Sequence, residues 1–183
     1  MSNPANNYII RAALSTDVPT ILRLMNELAD YEHALHEVRA TEASLKASLS
    51  FPDTDSATPP GFGSRVARTL LVSPKESPEE VAGIALYFHN YSTWRSSAGI
   101  YLEDLYVSPC FRGRGFGKAL LQALAKQTIE SCGENARLDW SVLKWNQPSI
   151  GFYESPVIGA TMMKEWVGMR VDGKELKKLA GVA

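Results

Sequence analysis

Apolar positions along the chain recur with a period of two in some stretches and with helical spacing in others. The predicted strands, rich in apolar, β-branched and aromatic residues, occupy residues 8–13, 68–72, 81–89, 100–107 and 138–143. The predicted helices begin near 15–17, 41, 118 and 146, and a frayed final helix is expected at 176–179. Two further apolar runs, 159–163 and 166–171, predict a closing hairpin, so the order of elements indicates an α/β fold.

The first predicted helix has apolar residues at helical spacing from Ile21 to Leu35, with Tyr31 and Glu32 in its last turns. Its start is expected to be capped by one of the polar residues of 15–17. In the helix that begins at Thr41, the pair Thr41 and Ser44 is not expected to form a full capping box. A Pro- and Gly-rich stretch, 51–64, predicts a loop within one domain rather than a linker between two.

The other elements are organised around residues 99–125. The strand 100–107 ends at Ser108-Pro109, and glycines then occupy alternate positions before the helix that starts at Lys118. A helix N-terminus carries unpaired N–H groups and a partial positive charge, and glycines allow an anion to approach that backbone closely. This order therefore indicates a phosphate or pyrophosphate site, although a tight turn into a helix would have the same pattern. The G-x-G-x-G spacing excludes a P-loop and the G-x-G-x-x-G dinucleotide fingerprint.

Composition narrows the class of protein. A length of 183 residues predicts one domain, 1–183, and a net charge of −1 argues against a nucleic-acid partner. Two cysteines form no metal-binding pattern, and His33 and His36 lack a further ligand, so we expect no metal. The longest apolar run, 81–88, is too short to cross a bilayer, and no leader segment is visible. These features predict a cytoplasmic protein without a membrane partner.

The run Arg112-Gly113-Arg114-Gly115-Phe116-Gly117 resembles the [QR]-x-x-G-x-[GA] signature of the GNAT superfamily of N-acetyltransferases. The resemblance implies acetyl-CoA as cosubstrate, with its pyrophosphate held by this turn. It also implies a mixed, mostly antiparallel central sheet flanked by helices. In such a sheet the strands 100–107 and 138–143 splay apart to form the acetyl-CoA cleft. The cofactor-binding residues implied are Leu105, Tyr106, Val107, Arg112, Gly113, Arg114, Gly115, Phe116, Gly117, Lys118, Asn146, Ser149 and Tyr153.

Three further pieces narrow this resemblance to the diamine acetyltransferases, which include the spermidine/spermine and thialysine N-acetyltransferases. They are the stretches 24–32 (LMNELADYE), 101–104 (YLED) and 145–153 (WNQPSIGFY). The implied acceptor is a primary amine of a small diamine, polyamine or lysine-like amine, which attacks directly in a ternary complex. The relatives imply a homodimer. The segments 51–64, 92–99 and 154–160 depart from the family pattern, which leaves the particular amine open.

Amine acetylation needs a base for the ammonium, a hydrogen-bond donor for the carbonyl oxygen and an acid for the departing thiolate. A phenol with a reference pKa of ~10 suits the last role, which the resemblance assigns to Tyr153. Glu103 is our first candidate for base and cation anchor, and Asp104 is the second. Adjacent strand residues point to opposite faces, so a regular strand could not aim both at one substrate, and a β-bulge would remove this restriction. The resemblance implies such a distortion on this strand. The alternative to a catalytic role is that Tyr153 is only a packed aromatic side chain. For Glu103 and Asp104, the alternative is that one of them is only a surface charge on the strand.

Other side chains are candidates for the amine site and the pantetheine arm. Carboxylates beside aromatic faces suit a substrate with separated positive charges. Such an amine site would add four residues to Glu103 and Asp104, namely Tyr31, Glu32, Trp94 and Trp166. Asn146 and Ser149 resemble the family's pantetheine contacts, or they cap the short helix that follows.

Two rival functions remain open. One keeps the chemistry but acetylates a protein or peptide amine, which would suit a long open groove. The other is a non-catalytic acyl-CoA-binding module, which would retain coenzyme A binding without turnover.

Overall fold

A computed structural model describes residues 7–54 and 65–182 of the chain. Most of the predicted 51–64 loop lies outside the described residues. Two compact units meet in sequence between Ser141 and Val142, and each is described by itself. The expectation of one domain stays a prediction.

The described residues of the first unit form five strands and three α-helices. The strands are β1 (Tyr8–Ala12), β2 (Arg68–Pro74), β3 (Gly83–Ser92), β4 (Ser97–Val107) and β5 (Leu138–Trp140). The helices are α1 (Val18–Tyr31), α2 (Glu42–Ser48) and α3 (Phe116–Cys132). They form one sheet of order β1-β2-β3-β4-β5, antiparallel except for the parallel β4–β5 pair. This mixed, mostly antiparallel sheet confirms the predicted fold class.

Helices cover both faces of the sheet. The core on one face joins α1 and α2 to the sheet, with Ile21 and Leu24 packed in one cluster with Leu86 and Tyr106. Tyr87 alternates with Leu86 along β3, and its hydroxyl hydrogen-bonds to Gln127 of α3 at 3.0 Å. The face of the sheet that packs against α1 and α2 is called the α1 face, and the opposite face, which packs against α3, is called the α3 face.

The structure corrects three details of the first helices. Helix α1 ends at Tyr31 rather than continuing to Leu35, because His33 takes a left-handed φ of +60° and Leu35 begins a separate 3-10 turn. Asp17 does not cap α1 with its side chain; its carboxylate accepts the Leu14 N–H at 2.7 Å instead. Thr41 and Ser44 do complete a capping box, since a serine hydroxyl can replace the usual glutamate.

The predicted strand bounds also change where hydrogen bonding decides them. β2 extends to Pro74, and the β3–β4 hairpin extends to the Ser92–Ser97 pair. β5 stops at Trp140 rather than residue 143, because its ladder with β4 ends there. Gly133 ends α3 with a positive φ of 85°, but its ψ of 174° lies outside the left-handed helical region that we expected.

The second unit contains α4 (Gln147–Glu154) and α5 (Gly173–Leu179). The closing hairpin predicted at 159–163 and 166–171 is wrong, since no residue described between 142 and 182 belongs to a strand. Apolar alternation favours a strand only where a neighbouring strand accepts its backbone hydrogen bonds. Within the described ranges, no helix is long and apolar enough to cross a membrane.

Candidate active site

A β-bulge interrupts β4 at Glu103. The register passes from Tyr87↔Leu102 to Leu86↔Asp104, so Glu103 has no opposing residue on β3. Cross-strand partners share a face, so Leu102 lies with Tyr87 on the α3 face and Asp104 lies with Leu86 on the α1 face. This is the distortion expected from the sequence, and it releases the two adjacent carboxylates from strict alternation.

The parallel pairing of β4 with β5 ends just before this bulge. Its last pair is Leu102↔Trp140, while β4 continues through the bulge to Val107. Among the described residues, no strand pairs with the β5 side of the segment 103–107. Main-chain groups of Leu105, Tyr106 and Val107 that point to this side can therefore bind a ligand.

At the bulge, Asp104 is close enough to two other carboxylates, Glu103 and Glu32, to be affected by their charges. Asp104 is largely buried, and this burial, the charge of Glu103 and the charge of Glu32 together raise its pKa from 3.8 to about 6. Burial also raises the pKa of Glu32, the residue that follows α1. Tyr31, the last residue of α1, is half-buried beside Glu32. Repulsion among the carboxylates favours binding of a cation here at neutral pH.

The raised pKa of Asp104 predicts that this residue opposes folding at neutral pH. The folded protein holds this proton up to about pH 6 and the unfolded chain only to about 3.8, so stability falls as pH rises through that window. We expect Asp104→Asn to raise the free energy of unfolding by about 2–3 kcal/mol at pH 7.5 and by almost nothing below pH 4. Denaturant titrations at both pH values, with exposed Asp30→Asn as control, measure this difference. Equal stability of variant and wild type at pH 7.5 would contradict it.

The glycine-rich segment after β4 has the geometry of an anion loop. Gly113 and Gly115 have φ values of +77° and +82°, which glycine adopts at little cost. Gly115 is the residue before α3, and no side chain in the described part of the chain caps this helix. A Cβ at any of the three glycines would meet no atom within 4 Å. The space beside these glycines is therefore open among the described residues, and the first N–H groups of a helix lack intrahelical partners, as a phosphate site requires.

The two arginines of this loop have protein partners. Arg112 donates from Nε to the Val107 carbonyl at 2.9 Å, and its guanidinium lies 5.1 Å from the Tyr31 ring centre and 5.5 Å from that of Tyr106. Arg114 forms an ion pair with Glu76 in the turn after β2. Both arginine side chains are therefore engaged with protein groups, and the loop backbone is the better candidate to donate hydrogen bonds to an anion.

The second unit contains Asn146, Ser149 and Tyr153, three polar residues that the sequence predicted to belong to the site. Asn146 precedes α4 and is buried, and its Oδ1 accepts the Ser149 N–H at 3.3 Å. This is the capping alternative considered for the pair. Tyr153 is half-buried in α4, with its ring centre 5.4 Å from that of Phe152.

Within the first unit, the structure does not bring Trp94 to the bulge. Trp94 is 89% exposed in the turn beyond the Ser92–Ser97 pair, and that pair is itself about six residue steps or ~20 Å along β4 from Glu103. Trp166 lies in the second unit and is 63% exposed. Lys118 follows the glycine loop in the first turn of α3.

Sequence reasoning missed Glu27 and Glu76. Glu27 lies one helical turn before Tyr31, and that spacing was a usable signal. Glu76 is 38 positions from Arg114, and no local pattern joins the two.

A mixed sheet whose fourth strand is bulged, a ladder that ends at the bulge and a glycine-rich loop before the next helix are the features of an acyltransferase of the coenzyme A-dependent class. The chain belongs to the acetyltransferase (GNAT) family, whose profile matches residues 24–157. It is an N-acetyltransferase with acetyl-CoA as cosubstrate.

Relatives with assigned activities support this membership. The chain is 34% identical to a thialysine N-epsilon-acetyltransferase of Bos taurus, over 94% of this chain and 97% of that protein. It is 32% identical to the L-ornithine N5-acetyltransferase NATA1 of Arabidopsis thaliana, over 93% and 86% of the two chains.

Solved structures with the same fold include an integron cassette protein from the mobile metagenome of V. cholerae. It has a TM-score of 0.70 and 25% identity, over 95% of this chain and 98% of that one. An aminoglycoside acetyltransferase from a soil metagenome has a TM-score of 0.69 at 14% identity, over 92% and 97% of the two chains, which shows the fold alone.

Proposed function

We propose that this protein transfers the acetyl group of acetyl-CoA to a primary amine of a small diamine, polyamine or lysine-like amine. The observation that carries the proposal is a set of three side-chain carboxylates at the bulge, beside the anion loop. They belong to Glu32, Glu103 and Asp104. Separate charges on such an amine match separate carboxylates. The names of the thialysine and ornithine relatives point to acceptors of the same chemistry.

The reaction proceeds by direct attack in a ternary complex. Glu103, directly or through a water molecule, takes a proton from the bound ammonium, and the nitrogen lone pair then attacks the thioester carbonyl carbon. Main-chain N–H groups in the segment 105–107 stabilise the charge that develops on the carbonyl oxygen. The carbon–sulfur bond breaks, and the Tyr153 hydroxyl gives its proton to the leaving sulfur. Asp104, Glu32 and Tyr31 hold the rest of the amine.

The cofactor contacts are proposed as the family resemblance implies them. The pyrophosphate binds the backbone of 113–118, and the pantetheine arm contacts the segment 105–107, Asn146 and Ser149. Trp94 and Trp166 remain candidates for the outer part of the amine site. The site is proposed to need no metal; within the described residues, no group of three or more His, Cys, Asp or Glu side chains could hold one.

A substrate profile tests the function. Thiol release from acetyl-CoA is measured with putrescine, spermidine, thialysine, ornithine and lysine, and with peptides that carry a free N-terminus or a lysine. Turnover that favours the small cationic amines supports the proposal, whereas a preference for peptides would establish the rival acceptor. Acetyl-CoA binding without turnover on any amine would show a non-catalytic module.

The protein is further proposed to be a cytoplasmic homodimer without nucleic-acid or membrane partners. The proposal of a dimer rests on the family resemblance. Exposed apolar side chains of the second unit, including Val167 and Met169, are consistent with a dimer interface. Sedimentation of the purified protein at micromolar concentration distinguishes monomer from dimer.

If an anion approaches the loop backbone closely, Gly117→Ala should weaken the binding of coenzyme A. Alanine suits this helical position, and its Cβ meets no protein atom within 4 Å, so the fold is retained. We expect the Kd for coenzyme A to rise about tenfold, because the methyl group occupies space that the phosphates need. Calorimetric titration measures this change.

Gly133→Ala is the control at the other end of α3. Gly133 has a φ of +85°, so alanine there strains the backbone and lowers stability outside the anion loop. Its Kd for coenzyme A should match that of the wild type. Unchanged binding by Gly117→Ala would contradict the loop assignment.

A further inference from the structure

One face of α1 carries three side chains at successive four-residue spacings, Arg23, Glu27 and Tyr31. All three contact the segments at or next to the C-terminal end of β4. Arg23 donates to the Val81 carbonyl at 3.2 Å, and Tyr31 lies under the Arg112 guanidinium. We call these three residues the α1 brace.

Glu27 is the central residue of this brace. One carboxylate oxygen pairs with Arg23, and the other accepts a hydrogen bond from the Ser108 hydroxyl at 2.6 Å. Ser108 is only 6% exposed, and it is the residue that follows β4. This hydrogen bond to a charged acceptor therefore ties α1 to the first residue of the segment that leads into the anion loop.

The same segment is held from its other end by Arg112. Its Nε bond to the Val107 carbonyl closes the turn of 108–111, and its guanidinium stacks on Tyr31 and Tyr106. The Phe111 N–H donates to the Ser108 carbonyl at 2.9 Å inside that turn. The brace thus contacts both ends of the turn that precedes the glycines.

We propose that Glu27 is a positioning residue that aligns the anion loop for acetyl-CoA through its hydrogen bond to Ser108. The inference rests on the proposed function, in which this loop holds the pyrophosphate. Glu27 acts through Ser108 and touches neither substrate. Glycines at 113 and 115 restrict the backbone little, so the direction of the loop N–H groups depends on how its entry is anchored.

The α1 brace also ends at Tyr31, a candidate amine contact, so the loop and the amine site share one helix. A misplaced loop weakens binding of its phosphate ligand directly, while Tyr31 keeps its place at the end of α1. The expected signature is a selective change in affinity for acetyl-CoA.

The test measures acetyl-CoA Kd by calorimetry and the KM of both substrates for Glu27→Ala, Glu27→Gln and Ser108→Ala. We expect Glu27→Ala and Ser108→Ala each to raise the acetyl-CoA Kd about tenfold, with the amine KM within about twofold of wild type. The double variant should show no further loss, because both changes remove the same hydrogen bond. Glu27→Gln, which keeps an acceptor for Ser108, should recover most of the affinity.

Glu130→Gln is the matched control, because Glu130 forms an exposed ion pair with Lys126, four positions earlier on α3. Melting temperatures separate positioning from a purely structural role, which would lower stability and leave the Kd of the folded fraction unchanged. An unchanged Kd in folded Glu27→Ala, or full additivity in the double variant, overturns the inference. Failure of the wild type itself to bind acetyl-CoA overturns the proposed function instead.

Discussion

Tyr153→Phe is expected to lower kcat by about a hundredfold to a thousandfold. The change removes only the hydroxyl, and with it the proton that the leaving sulfur requires. The ring stays against Phe152, so the local packing of α4 is retained. The Kd for acetyl-CoA should stay within about twofold of wild type, because a single hydroxyl makes only a small part of such a ligand's contacts. Steady-state turnover and calorimetry on the same preparation measure both quantities.

Tyr91→Phe is the control for loss of a tyrosine hydroxyl. Tyr91 lies on β3 and is exposed, and its hydroxyl lies 3.4 Å from the Ser96 hydroxyl in the hairpin. It should keep wild-type kcat. Full activity of Tyr153→Phe would remove Tyr153 from the reaction and leave it as a packed aromatic.

Glu103→Gln is expected to raise the amine KM by about tenfold to a hundredfold and to lower kcat as well. Glutamine keeps the shape of the bulge residue but neither attracts an ammonium nor accepts its proton. Because Glu103 is exposed while Asp104 is largely buried, the loss of charge at 103 affects the substrate more than the fold. Initial rates over a range of amine concentrations, at fixed saturating acetyl-CoA, give the two constants.

Asp104→Asn tests how the roles are divided between these neighbours. It should stabilise the protein at neutral pH, as derived above, and raise the amine KM with little effect on kcat. Glu134→Gln, an exposed carboxylate that follows α3, controls for a general change of charge. A normal amine KM in Glu103→Gln together with a large loss in Asp104→Asn would reverse our order of the two carboxylates.

The sequence predicted the elements that have local signals. Strand β4, the proline that follows it and the glycines before α3 depend on backbone preferences within a few residues. The Asn146 cap of α4 is local in the same way. The hairpin expected at 159–171 was wrong because alternation indicates which side chains share a face, and says nothing about whether a neighbouring strand exists.

The candidate site was only partly predictable. Glu103 and Asp104 were predicted from the sequence as candidates for base and cation anchor. The position of the bulge, however, depends on the register with Leu86 and Tyr87 of β3. The partners of Ser108 and Arg114 are 81 and 38 positions away in the chain, too far for any spacing rule.

The order of strand, glycine loop and helix, and with it the prediction of an anion site, follows from the amino-acid sequence by itself, because glycine and proline act on their own backbone. Tertiary structure alone decided that the β4–β5 ladder ends at Leu102↔Trp140 and that the pKa of Asp104 rises to about 6. Both depend on groups brought together by packing, since desolvation and charge repulsion act through space and not along the chain.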